Sequence, residues 1–350
     1  MTVLRARSRP AAAPVRLSHS VRTIVSVSSA ESSLNPPLLN PAQQEVLDLL
    51  GSAPDERPVF DPNLRDSLID ELEESLADLA PELDPADPLF ISKHALSTVH
   101  GCEARHVAER DQAFEWSAPL ARGSVAHKAI ELSVHWRGRP DPLEMVDEAL
   151  ARLAQGTDGL GDWLVTCTEA ERAEVRALAN ERVATFLECF PPLKASWVPV
   201  TEGRLRAELL GGRIILAGRT DLSLGRSEGN TARKVVIDLK TGGFSSAHLD
   251  DLRFYALIET LRLGVPPRLT ASYYLDAGRA QPEAVTEGVL RSAVKRTADG
   301  ARKLHELAVG TRAPIARPSR SCRWCPALAD CGAGRAFLGE DSSVDVFDND

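Results

Sequence analysis

The chain has 350 residues, 41 of them Lys or Arg and 50 Asp or Glu, for a net charge of −9. That length can bury a sizeable core, and the absence of any apolar run of about 18 residues predicts no membrane-spanning helix and no membrane partner. The negative balance argues against a nucleic-acid partner only until it is mapped: residues 1–35 carry five Arg and one Glu, residues 36–90 carry fourteen acids and two Arg, and residues 340–350 carry five acids, leaving residues 91–339 at about +4 and compatible with a phosphate-binding groove.

Residues 1–35, rich in Arg, Ala, Ser and Pro, read as a disordered basic arm. Residues 36–89 read as a separate acidic helical segment. Leu64, Leu68, Ile69, Leu72, Leu76 and Leu79 share one helical stripe, while Asp66, Asp70, Glu73, Glu74 and Asp78 lie opposite. That acidic face is either solvated or a cover for a nucleic-acid groove. On this division the segment is expected to be removable without unfolding the main domain.

The main domain is expected at residues 90–339, before an acidic tail at 340–350. Its predicted elements alternate. A helix over Ser92–Ala108 ends or bends near Gly101-Cys102. Helices follow over Arg122–Trp136 and Glu169–Phe190. Strands are predicted at Arg213–Leu224 and Arg233–Thr241, joined by a Gly- and Ser-rich turn at 225–232. A helix over Ala247–Leu263, a strand over Leu269–Leu275 and a long helix over Glu283–Val309 lead to a Cys-rich coda at Arg317–Leu338. The pattern predicts an α/β fold, a small mixed sheet flanked by helices.

Within the strand Val-Val-Ile-Asp-Leu-Lys-Thr-Gly, Asp238 and Lys240 are two apart and share one face. Pairing through the turn would bring Asp221, in Ala-Gly-Arg-Thr-Asp, beside Asp238. Two converging carboxylates hold a hard divalent cation, which is what phosphodiester hydrolysis needs. The chain has 34 Arg and only 7 Lys, yet Lys stands at 240, and Lys can handle a proton where Arg cannot. His127 lies in Gly-Ser-Val-Ala-His-Lys-Ala-Ile-Glu, where Gly123, Ser124 and Ala126 would let it approach a strand closely and offer a nitrogen ligand.

Cys322, Cys325 and Cys331 form a CxxC followed after five residues by a third thiol, and Cys102 is the candidate fourth. Four thiolates close either a zinc site or a 4Fe–4S cluster; spacing alone does not choose. Either would pin the coda to the first helix. Clustered cysteines without a secretion signal point to a reducing, cytoplasmic setting. Cys167 and Cys189 stand alone and read as small buried hydrophobes.

Taken in order, Gly-x-x-x-His-x-x-x-Glu, Gly-x-x-Asp, Asp-x-Lys-Thr-Gly, a helix with a Tyr, and the cysteine triplet resemble the RecB-like PD-(D/E)xK nucleases. The iron–sulfur branch of that family, with the AddB-type nuclease domains and the CRISPR-associated RecB-like exonucleases, is the nearest likeness. Phe-Ile-Ser-Lys-His-Ala-Leu leading to Cys102 resembles that branch's first helix. The resemblance covers roughly residues 90–338 and implies a restriction-endonuclease-like core. It makes His127, Asp221, Asp238 and the Leu239 carbonyl ligands of Mg²⁺ or Mn²⁺, and Lys240 the catalytic lysine. Glu131 becomes a supporting residue. Cys102, Cys322, Cys325 and Cys331 become ligands of a 4Fe–4S staple, with Zn²⁺ as the alternative. Tyr255 matches the family's Gln-x-x-x-Tyr DNA-holding motif, but the Gln position is Asp251. An ionised Asp cannot donate a hydrogen bond and repels phosphate, so either Asp251 binds a further cation or neighbouring Arg253 takes the DNA contact.

The function expected from these residues and that resemblance is metal-dependent DNA cleavage, in exonuclease mode on single-stranded ends, in DNA repair or defence. No GxxxxGK[ST] loop occurs, so a separate helicase is the expected partner. The competing readings are a non-cleaving DNA-binding or scaffold subunit of a helicase–nuclease complex, and an RNA-directed nuclease.

Overall fold

The computed structural model describes residues 39–344 apart from 111, 113 and 158, with side chains to residue 339. The predicted arm at 1–35 and the end of the tail lie outside the described residues. Two helices come first, α1 (Pro41–Leu50) and α2 (Leu64–Leu76). The short strand β1 (Leu89–Ile91) leads into α3 (Lys93–Gly101) and α4 (Glu103–Arg110), which break at Cys102, an extended residue at φ −159°. A helical layer follows: α5 (Ala118–Ser133), α6 (Pro142–Leu153), α7 (Gly159–Thr166) and α8 (Glu169–Cys189). Then come β2 (Val200–Leu209), β3 (Ile214–Leu224), β4 (Val235–Lys240), α9 (Ala247–Leu263), β5 (Leu269–Tyr274), β6 (Arg279–Ala284), α10 (Glu287–Val309) and α11 (Gly332–Val344).

The six described strands make one mixed sheet, as the alternation predicted. Strand β3 is its spine. β2 runs antiparallel along it from Leu209↔Ile214 to Val200↔Ser223. β1 pairs in parallel with Ile214–Leu216 and β4 antiparallel with Leu222–Leu224. Residues 217–221 of β3 fall between these two partners, which opens a notch in the sheet. β5 lies parallel to β4 and β6 antiparallel to β5.

Each face of the sheet has its own core. Alternation along β4 sends Ile237 and Leu239 to a face covered by α5, α6 and α8. Phe186 and Phe190 stack face to face there, and Tyr273 meets both edge-on. Alternation sends Val236 to the face covered by α2, α3, α9 and α10. The leucine stripe of α2 belongs to this second core, with Leu68, Leu72 and Leu76 fully buried. Its acids reach α10: Glu71 pairs with Arg291 at 2.6 Å and Asp78 with Arg302. The acidic helix therefore shares a core with the sheet it precedes.

Several elements differ from expectation. β1, α6, α7, β2 and β6 were not foreseen, and the helix predicted from Glu283 starts at Glu287. Glu283 and Ala284 are instead paired with Thr270 and Leu269, and Thr286 caps the helix through its side chain on the Val289 N–H.

Candidate active site

β4 carries Asp238 and Lys240 to one end of the sheet, beside the notch in β3. Asp238 is buried, and two ammonium groups hold it: Lys93 Nζ lies 2.8 Å from Oδ1 and Lys240 Nζ 2.7 Å from Oδ2. Burial alone would raise the Asp238 carboxyl, but the two lysines outweigh it and keep it below the ordinary range. Burial would likewise depress Lys93, yet the charges of Asp238, Tyr255 and Asp221 carry it well above its usual value. Lys93 is therefore an ammonium at any working pH.

The register of β3 and β4, continued one residue past Leu222↔Ile237, sets Asp221 opposite Asp238. The strands part at that point. The Leu239 N–H, freed from the ladder, donates to Asp221 Oδ2 at 2.7 Å. From α5, His127 Nδ1 comes to 3.4 Å of Asp221 Oδ1. The approach depends on Gly123, where a Cβ would lie 3.2 Å from Thr241 Oγ1. Burial lowers the basicity of His127, but Asp221 reverses the effect and raises it.

Glu202 joins them from β2. It faces Asp221 across the ladder, between the pairs Thr201↔Leu222 and Gly203↔Thr220, in a left-handed conformation at φ +52°. Such a backbone is strained for a side chain of this kind. Ligand atoms of His127, Glu202 and Asp221 all lie within 4.8 Å of one another. Two carboxylates and an imidazole beside the buried Asp238 form a predominantly oxygen donor set, suited to Mg²⁺ or Mn²⁺. His127, Asp221 and Asp238 line an open cleft of about 390 Å³, which also receives Lys93, Lys240 and His248. Burial, then Lys240, pushes His248 down to about 4, so its ring is neutral at pH 7.

The α9 residues divide. Asp251 reaches to 3.4 Å of Lys240 Nζ, and burial raises its carboxyl despite that neighbour. Tyr255, one turn on, lies under Lys93, whose Nζ stands 5.0 Å from the ring centre. The ring packs on Gly218, where a Cβ would sit 2.5 Å from Tyr255 Cε1. Arg253, about 200° round the helix from Asp251, is held by Glu283 and Asp250 and is not brought to the cluster. Glu131 pairs with Lys128 at 2.8 Å, one turn beyond His127.

The residues that sequence reading passed over are Lys93, Glu202 and His248. Lys93 carried a usable signal, since it is one of only 7 lysines and opens the helix that ends at Cys102.

A second site lies where α3 meets the coda. Cys102, Cys322, Cys325 and Cys331 line one small space of about 20 Å³. Backbone N–H groups point at three sulfurs: Arg317 to Cys102 at 3.4 Å, Ser319 to Cys322 at 3.4 Å and Gly334 to Cys331 at 3.3 Å. Among the described residues no three of these thiols come within 4.8 Å of one another.

A family model described as the PD-(D/E)XK nuclease superfamily matches residues 91–332. No curated protein matches the sequence. Among solved structures, one titled "Putative exonuclease" from Eubacterium rectale aligns at 14% identity and a TM-score of 0.43, covering 71% of this chain and 87% of that one. Another, titled SSO0001, aligns at 15% identity and a TM-score of 0.34, covering 75% and 95%.

Proposed function

The chain belongs to the PD-(D/E)XK nuclease superfamily, and from that membership we propose that it cleaves DNA as an exonuclease on single-stranded ends, within the RecB-like iron–sulfur branch. The observation that carries the reading is the convergence of Asp221, Asp238, His127 and Lys240 on one open cleft. An isolated salt bridge on a strand would not bring an imidazole and a second carboxylate to the same point.

His127, Asp221, Asp238 and the Leu239 carbonyl would hold the divalent cation, with Glu202 as a further carboxylate within reach. When bound, such a cation polarises the phosphoryl oxygen and eases deprotonation of the attacking water. The remaining work falls to the protein's own groups. Lys240 Nζ, fixed between Asp238 and Asp251, orients water and offsets the charge that develops on phosphorus. Asp251 thus acts on Lys240 rather than on phosphate, which accounts for an acid where the resembled family has Gln. Lys93, braced on the Tyr255 ring, keeps Asp238 ionised. Phe244, 65% exposed on the loop after β4, offers a face on which an unpaired base can stack.

The four cysteines would hold a 4Fe–4S cluster. A zinc ion held by the same four thiolates is the alternative. N–H···S bonds of the kind present here tune such clusters. The cluster would join the coda to α3, in a cytoplasmic protein working beside a separate helicase. No described helix is long and apolar enough to cross a membrane.

The test is a cleavage assay on anaerobically purified protein with Mn²⁺ and end-labelled single- and double-stranded DNA and RNA. Release of nucleotides from single-stranded DNA by wild type, and its loss in Lys240→Ala with DNA binding retained, is the expected result. Binding without cleavage in a cluster-loaded wild type would overturn it in favour of a scaffold.

A further inference from the structure

A cavity larger than the cleft lies elsewhere among the described residues. A pocket of about 510 Å³ opens at the other end of β4, where Val235 begins the strand. Five residue steps along the strand separate Val235 from Lys240, roughly 17 Å at the rise of a β-strand. Its walls are apolar, from Leu47 and Leu50 of α1, Phe190 and Leu224, with Trp197 beside them. Its polar lining is one-sided: Arg57, Arg226, Arg233 and Arg268 face it, and no Asp or Glu does.

These guanidiniums are poorly neutralised. Arg233 reaches the exposed Glu228 at 2.5 Å, but its Nε is buried without a partner. Among the described residues no carboxylate pairs with Arg57, Arg226 or Arg268, and Arg268 Nη2 turns to the Leu50 carbonyl. Burial, then the charge of Arg57, holds the Arg268 guanidinium below its ordinary value. Gathering like charges around an apolar hollow costs folding energy unless an anion offsets it. The backbone at the rim is strained as well. Val198 is left-handed at φ +49°, an outlier for a β-branched residue, and Gly225 at φ +81° donates its N–H to the Trp197 carbonyl. Outliers of this sort gather at ligand sites.

We propose that this pocket binds a nucleoside phosphate, its phosphate on the arginines and its base against Trp197 and the aliphatic wall. Arginine forks match phosphate oxygens, and the volume lies in the range of small-molecule sites. A bare phosphate would leave the apolar wall uncovered, and an uncharged nucleoside would leave the arginines unmatched. The inference stands on the pocket alone and does not depend on nuclease activity.

The experiment is calorimetric titration of the full chain, without divalent ions, using deoxyadenosine 5′-monophosphate, inorganic phosphate, deoxyadenosine and a 12-nucleotide single strand. Saturable binding of the monophosphate is expected, at least tenfold tighter than phosphate or nucleoside. It should weaken at least tenfold in Arg226→Ala and in Arg57→Ala, and persist in Asp221→Asn. Arg226 is exposed, so its variant keeps the fold, which thermal unfolding verifies. Equal binding of inorganic phosphate, no saturable binding, or indifference to both arginine variants would overturn the proposal. So would tighter binding of the 12-mer that is lost in Arg226→Ala, which would make the pocket a strand path.

Discussion

Glu103 and Arg312, 209 residues apart in sequence, meet through two N–H···O bonds of 2.9 Å, with the carboxylate fully buried. The Ile315 N–H adds a third bond to Glu103 at 3.1 Å, and the Ala104 N–H returns one to the Ile315 carbonyl. Glu103 follows Cys102, and Ile315 leads into the coda, so this junction brings the distant thiol to the triplet through protein contacts alone. Arg312→Met leaves a buried carboxylate without its partner. The expected outcome is a lower urea midpoint and slower reconstitution of the metal site. Wild-type values for both would show that the cysteines close the site unaided.

Lys93 and Lys240 share Asp238, one on each oxygen. Removing a preorganised charge from an active site typically costs about 10²–10³-fold in turnover. Lys93→Met is expected to lower kcat by about 10²-fold. It should also lower the metal concentration needed for half-maximal rate, since one competitor for Asp238 is gone. A metal titration of both proteins measures the two effects together. A fall in kcat with an unchanged metal requirement would reduce Lys93 to a packing role.

Tyr255 can lie under Lys93 only because residue 218 has no side chain. Gly218→Ala places a Cβ 2.5 Å from the ring, and overpacking of this kind costs about 1–3 kcal/mol. Denaturant unfolding should show that loss, and activity should fall with it as the ring moves Lys93. Adding Gly218→Ala to Tyr255→Ala should cost less than Gly218→Ala costs wild type, because the clash goes with the ring, and activity should stay low.

Which parts were legible depends on how each residue signals. β4 is an apolar strand interrupted at 238 and 240, so period-2 reading exposes its charged face at once. β2 hides because it presents one face outward: Arg204 and Arg206 alternate with Leu205, and only Leu205 and Leu209 are buried. Glu202 could not be found without the register that sets it opposite Asp221, nor without its left-handed backbone. The partners of Lys93 and Glu103 lie 145 and 209 residues away, beyond any local pattern. The stripe on α2 says that the helix packs, but not that it packs on the main core.

That docking changes what truncation should do. Leu68, Leu72 and Leu76 have no exposed surface, and a buried Leu→Ala typically costs about 2–5 kcal/mol. Leu72→Ala is expected to cost about 3 kcal/mol in denaturant unfolding. Deleting residues 1–88 uncovers the α9 and α10 surfaces that α2 occupies, so the product should aggregate or melt early rather than bind DNA more tightly. A truncated protein that unfolds at the wild-type temperature would restore the acidic segment as a separable cover.

The cysteines decide between two metals whose signatures do not overlap. A 4Fe–4S cluster brings four irons and four sulfides and is coloured, whereas zinc is colourless and arrives as one ion. Anaerobically purified wild type is expected to be brown, and Cys325→Ser to lose both colour and iron. On the proposed staple between α3 and the coda, that variant should also unfold at lower denaturant and be cut by protease between Val309 and Gly332, while Lys240→Ala should not. The Glu103–Arg312 junction remains in Cys325→Ser, so its loss should loosen the coda rather than release it, and Cys325→Ser combined with Arg312→Met should lose more stability than either change alone. One zinc per chain in place of iron, with the same protease pattern, would keep the staple and replace its metal. Full stability and protease resistance in Cys325→Ser would remove the staple altogether.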